Sequence, residues 1–294
     1  MRYASFLMFL LALATALTAG SQDVVVNVNL RAIALSVEDE SGRPLIDLTP
    51  DDFVVFENGQ IKPVAHLSLE TQPVALGLVV DRSISIAPVK NKIDRAAMHA
   101  IDAARDDDVL FLMTFAGMGK LNVTLTTKHQ NIREAIPKLK LGVGSRVYDV
   151  IFHSVQYLSR SSVERKVLLV FTDGADHYSA HTLEEVQAVA TSQRIPIYML
   201  GYVGDDSRTW SESGRSQIRD GFEQLARMTG GRAFFSEHDE DSSEVVLQIL
   251  QRWRYEYRIE FYSSSASAKS TDPQVMLRDP RAARVIIRSR LPIS

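Results

Sequence analysis

Two short segments place carboxyl and hydroxyl side chains directly after apolar runs. Asp81-Arg82-Ser83-Ile84-Ser85 follows VALGLVV, and Thr172-Asp173-Gly174 follows KVLLVF. A third segment, Gly142-Val143-Gly144-Ser145, adds another hydroxyl on a flexible backbone. Carboxylates, hydroxyls and water are the ligands that suit magnesium, calcium or manganese. Magnesium in particular takes octahedral oxygens at about 2.0–2.1 Å and keeps several waters. Asp81, Ser83, Ser85, Ser145 and Asp173 can together hold such a cation and leave one coordination position open. An acidic group offered by a protein partner can then complete the shell. The 294 residues contain no cysteine, which excludes thiolate metal sites, iron–sulfur clusters, disulfides and a cysteine nucleophile.

Other candidate chemistry is weaker. Gly117-Met118-Gly119-Lys120 lacks the earlier Gly and the following Ser/Thr of a phosphate loop, and is predicted to be a hairpin turn. No G-x-S-x-G occurs, and His177 and His181 precede a helix start at Thr182, so neither serine-hydrolase nor zinc chemistry is expected. Asp106-Asp107-Asp108 is expected to be a solvated turn. Asp149, one turn into its helix, and Asp176, near Asp173, are candidate supports for the site loops. Trp210, in the long polar stretch 203–217, is a candidate partner contact, and 203–217 is expected to be a loop.

The elements that position these groups follow from hydrophobic periodicity. Between residues 73 and 253, apolar runs at 74–81, 109–115, 120–126, 166–173, 195–203 and 232–236 read as strands. Most are separated by amphipathic stripes of helical spacing, such as Val147, Ile151, Val155 and Leu158. Thr182 and Glu185 have the spacing of a capping box. Apolar strands alternating with helices imply a doubly wound α/β fold: a mostly parallel sheet covered on both faces. Run 120–126 follows its predecessor too closely for a crossover helix, so it should be an antiparallel edge strand. In such sheets ligands bind beyond the carboxyl ends of the strands, where Asp81 and Asp173 fall. Outside this region the pattern is β. Asn58-Gly59 marks a hairpin, RYEYRIEFY (254–262) alternates with period two, and ARVIIRSR (283–290) is a last strand. A small β domain assembled from both chain ends is the economical arrangement, because two strands alone are marginal. The expected division is 1–20 leader, 21–72 first part of the β domain, 73–253 α/β domain and 254–294 completion of the β domain.

At these residues the chain resembles the von Willebrand factor type A family, whose signature is D-x-S-x-S after the first strand, a Thr in a middle loop and an Asp after the fourth strand. LARMTGGRAFF (225–235) is similar to that family's L-A-x-x-T-G-G-x-x-F stretch. LIDLTPDDFVVFENGQ (45–60) and SRVYDVI (145–151) resemble motifs of a bacterial, exported subgroup first noted in acidobacteria. The resemblance implies a Rossmann-like fold and a metal-ion-dependent adhesion site (MIDAS). Ser83 and Ser85 would ligate the ion directly, Asp81 and Asp173 directly or through water, and Ser145 would stand where Thr is usual. Ile84 replaces a usual Gly, and its β-branch is expected to restrict a tight loop. Arg82 and Arg146 put positive charge beside the cation. Turned inward they would repel it; turned outward they would steer an acidic partner.

The first residues carry an address. Arg2 precedes FLMFLLALATAL, closed by Thr18, Ala19 and Gly20, the pattern of a secretory leader cleaved near Gly20. That run is short for a span of about 20 apolar residues. No later run of that kind follows, so no membrane span is expected after cleavage. Lys+Arg 33 against Asp+Glu 36 gives a formal net charge of -3, which disfavours a dedicated nucleic-acid binder. The expected function is that of an exported, non-enzymatic module that binds an acidic protein ligand through magnesium, or calcium or manganese. The alternative is a metal-free structural or assembly module of the cell envelope with a degenerate site.

Overall fold

The computed structural model describes residues 29–39, 43–174, 176–202, 211–235, 242–263, 273–279 and 283–292. The leader expected at 1–20, the stretch 203–210 with Trp210, and most of the polar run 263–273 lie outside them.

A six-stranded sheet forms the centre. Its strands are β5 (Val74–Asp81), β6 (Val109–Ala116), β7 (Met118–Thr126), β8 (Arg165–Thr172), β9 (Ile197–Gly201) and β10 (Ala233–Phe235). Their spatial order is β10-β9-β8-β5-β6-β7. All neighbours are parallel except β6 and β7, which pair antiparallel at the edge. The sheet is covered on both sides because its strands are apolar on both sides. Leu76, Leu78 and Val80 face α1 (Lys90–Asp102) and α6 (Ser242–Arg254), whereas Ala75 and Val79 face α3 (Val147–Leu158), α4 (Leu183–Ser192) and α5 (Glu212–Thr229). A short α2 (Gln130–Ala135) inserts Ile132 into the first of these cores; its few apolar positions gave no helical stripe.

Two expectations about local structure are corrected. Stretch 203–217 is not all loop: α5 already begins at Glu212, where the Ser211 hydroxyl accepts from Gly214 N–H at 3.2 Å. Its first turns are polar because they are exposed, so periodicity starts only at Ile218. Asp108 is not solvated either. It is 1% exposed, accepts from Val74 N–H at 2.8 Å and pairs with Arg254 at 2.5 Å.

Strands from both chain ends share further sheets. β1 (Asn29–Asp39), β4 (Val64–Thr71), β11 (Tyr255–Ser263) and β13 (Ala283–Pro292) form one in the order β13-β1-β11-β4. β2 (Phe53–Glu57), β3 (Gln60–Lys62) and β12 (Gln274–Leu277) form another. Asn58 and Gly59, at φ 52° and 77°, make the β2–β3 hairpin, the primed geometry that matches strand twist. Ile33, Leu35, Phe53, Val55, Ile259 and Phe261 fill the space between the two sheets. β12 escaped sequence reading because its four residues carry too short an alternation.

Candidate metal centre

Three loops meet beyond the carboxyl ends of β5 and β8. The loop after β5 is sewn to its neighbours through backbone: Arg82 N–H donates to Phe115 O at 2.7 Å, and Gly142 N–H donates to Arg82 O at 2.8 Å. A parallel bridge joins Ser83 to Gly142. Gly117 and Gly144 allow the β6–β7 turn to lie against the 142–145 loop. Both have positive φ, and a Cβ on Gly144 would stand 2.9 Å from the Gly117 Cα. The turn at 117–119 is thus a hairpin turn, as its sequence suggested.

Asp81 is the hub. It is fully buried, with one carboxylate oxygen accepting from Ser83 N–H at 2.7 Å and the other from the Thr172 hydroxyl at 2.6 Å. Burial, then repulsion from Asp173, push its pKa up to about 6 against the opposing pull of these hydrogen bonds. Asp173 is 6% exposed. The Ser83 and Ser85 hydroxyls lie 2.9 Å apart. Ser145 is 1% exposed, and its hydroxyl has no hydrogen-bond partner among the described residues.

These observations test whether a hard cation fits. Two buried carboxylates repel one another, and the buried Ser145 hydroxyl on the adjoining loop lacks a partner among the described residues. Both are costs that an oxygen-seeking cation would relieve. The donor set of Asp81, Ser83, Ser85, Ser145 and Asp173 is all oxygen, the kind that suits magnesium, calcium or manganese. The residues fit magnesium or a similar ion.

The departures from the family pattern take defined places in the structure. Ile84 opens a 3-10 turn over Ile84–Val89, and the only described non-glycine residues with positive φ are Asn58 and Arg194. Ile84 therefore bears no left-handed strain; its side chain points out, 65% exposed. Arg82 is 2% exposed and turned inward, not out towards a partner. One guanidinium nitrogen donates to the Asp81 carbonyl at 3.1 Å and another pairs with Asp94, which also holds Lys90 at 2.6 Å. It is a buried strut tying the site loop to α1, so it is corrected as a partner-contacting residue. Asp94 was not singled out because nothing in a 12-residue separation announces the pair. Arg146 is half-exposed, with Asp149 3.6 Å away.

Asp176 and Asp149 support the third loop. One Asp176 oxygen accepts from Val147 N–H at 2.7 Å and from the Ser179 hydroxyl at 2.6 Å, satisfying the first turn of α3. Asp149 accepts from the backbone N–H groups of Ala180 and His181, both at 2.9 Å, and contacts His181 Nδ1 at 2.7 Å. Burial raises its pKa, but the hydrogen bonds from His181 and Ala180 outweigh it and hold the carboxyl below its ordinary value. His177 N–H donates to Ser145 O at 3.1 Å. The segment after β8 thereby clamps the start of α3, and with it Ser145. Thr172, which grips Asp81, went unassigned at sequence level; the signal was a hydroxyl at the last position of an apolar strand.

The fold and the loops together define a doubly wound α/β domain with a cluster of carboxylate and hydroxyl oxygens at its carboxyl edge. The von Willebrand factor type A domain profile matches residues 76–251, and the chain belongs to that family. No curated protein matches the sequence. Among solved structures, the chain is similar to BatB from Bacteroides thetaiotaomicron at 15% identity and TM-score 0.47, over 61% of this chain and 98% of that one. It is similar to the vWF domain of the type V pili tip protein Mfa5 from Porphyromonas gingivalis at 10% identity and TM-score 0.49, over 62% and 95%. It is also similar to a D319A mutant of the PilB minor pilin from Streptococcus sanguinis at 11% identity and TM-score 0.49, over 77% and 80%.

Proposed function

We propose that this chain is an exported, non-enzymatic module that binds a protein partner through a magnesium-type ion at the MIDAS loops. The observation that carries the reading is the pair of mutually repelling buried carboxylates Asp81 and Asp173, with a buried Ser145 hydroxyl that lacks a hydrogen-bond partner among the described residues on the loop bridged to Ser83. Ser83, Ser85 and Ser145 would supply hydroxyl ligands, and the two aspartates would hold the ion directly or through water. The ion would supply a Lewis-acidic position that takes a partner carboxylate. Binding, not catalysis, is assigned because both carboxylates of the site are used to hold the ion. Export rests on the apolar run after Arg2, and no helix among the described residues is long and apolar enough to cross a membrane.

Titration calorimetry tests the metal. We expect magnesium binding in the millimolar range or tighter, abolished by Asp81→Ala and by Asp173→Ala. An absence of binding by the wild type overturns the reading. One observation favours a second reading, a metal-free assembly module: both Asp81 oxygens already accept hydrogen bonds, one from Ser83 N–H within the loop and one from the Thr172 hydroxyl that ties β5 to β8. Partner capture from envelope extract that a chelator leaves unchanged would support that reading.

A further inference from the structure

Asp81, Ser83, Ser145 and Asp173 are buried, yet several residues of the same and adjoining segments are apolar and exposed. Ile84 is 65% exposed, Met118 77%, Val143 83% and Tyr178 67%. The first three sit on loops joined backbone to backbone. Ile84 follows the Ser83–Gly142 bridge, Val143 follows Gly142, and Met118 follows Gly117, whose Cα lies against the Val143–Gly144 backbone. Tyr178 follows His177, which donates to the Ser145 carbonyl. Apolar side chains thus border the loops that carry Ser83 and Ser145, while Arg146, beside Ser145, keeps a half-exposed guanidinium. Nothing in the fold needs these side chains outside. Ile84 in particular leaves most of its side chain in solvent, 65% exposed, where a Gly or Ser would expose less apolar surface.

We infer that this rim selects the partner: the site takes a protein segment whose Asp or Glu is flanked by apolar side chains, the carboxylate on the cation and the neighbours on Ile84, Met118 and Val143. The inference rests on the metal reading above and deepens it. Charge complementarity commits the occupant. A cation with an open position takes an anion, the half-exposed Arg146 guanidinium, shared with Asp149, adds positive charge nearby, and Ile84, Met118 and Val143 offer contact to apolar groups. Burying such groups beside a desolvated charge pair is how a small contact gains specificity.

The test uses short synthetic peptides with a central Asp or Glu and varied neighbours, arrayed on a surface and probed with the full chain in magnesium or in chelator. We expect retention in magnesium alone, enriched for apolar neighbours. A triple variant, Ile84→Thr, Met118→Gln and Val143→Thr, keeps backbone preferences and should lose retention by about tenfold or more. Met228→Ser, an exposed apolar change on α5, should leave retention unchanged. Magnesium affinity of the wild type is measured in parallel by calorimetry. Its absence overturns the metal reading and this inference with it. Magnesium binding without preference for apolar neighbours, or with unchanged retention by the triple variant, overturns the rim alone. Magnesium-dependent self-association that the triple variant abolishes would assign the rim to a second copy of this chain and overturn the separate partner.

Discussion

Asp81 shows how one buried group couples metal, pH and stability. Its folded-state pKa, about 6, lies above the ordinary 3.8. The native state therefore holds the proton more tightly than the unfolded chain does. Without metal, stability from this group is greatest below about pH 4 and is lost as pH rises through 6, by about 3 kcal/mol in all. Two outcomes follow. Magnesium affinity should fall as pH drops below about 6, because the proton competes with the ion; calorimetry at pH 5 against pH 7.5, both pH values being roughly one or more units from the pKa, checks this. Asp81→Asn should lose magnesium binding, yet melt at a higher temperature than wild type in chelator at alkaline pH, because the ionised carboxylate is gone. A lower melting temperature under those conditions would show that the two hydrogen bonds to Asp81 outweigh its burial cost.

At the level of elements, the site depends on where α3 begins. Its first N–H groups have no intrahelical acceptor, and Asp176 reaches back from the segment after β8 to supply one. A carboxylate there also suits the positive end of the helix. Asp176→Ala should cost about 1–2 kcal/mol in urea unfolding. It should also weaken magnesium affinity, since Ser145 lies two residues before the unsupported turn. Unchanged magnesium affinity in that variant would separate helix capping from the site. Elements of this size were largely readable from periodicity: the six central strands and the five longest helices fall where apolar spacing places them. The misread start of α5 and the missed α2 and β12 are short or polar stretches whose hydrophobic pattern is too brief to show a period.

Across the whole molecule, the central sheet and the terminal strands are joined with no linker. α6 ends at Arg254 and β11 starts at Tyr255. Charged groups lock the seam: Arg254 with Asp108, Arg165 with Glu256 at 2.5 Å and Arg252 with Glu38 at 2.9 Å. Asp108 and Arg254 are both almost fully buried, so removing one strands the other. Asp108→Ala should destabilise the protein by about 3–5 kcal/mol in denaturant melts, far from the metal loops and without loss of magnesium affinity in the folded fraction. A loss near zero would mean that the pair is solvated or replaced by another partner.

The sequence by itself determined the class of fold, the oxygen-only character of the site and the family. Strand and helix periods, and donor types at strand ends, are local properties of the chain. It could not determine which way Arg82 turns, that Thr172 grips Asp81, that Asp108 is buried or that Asp176 caps a helix 29 residues before it. Those outcomes depend on which loops the sheet order brings together, since a polar side chain in a buried place pairs with whatever donor or acceptor the packing sets within reach. Tertiary structure decided the same for Ile84. As a sequence departure it was a threat to a tight loop; in the fold it lies outside the left-handed region and has an exposed side chain, and it becomes part of the surface around the Asp81–Ser85 loop.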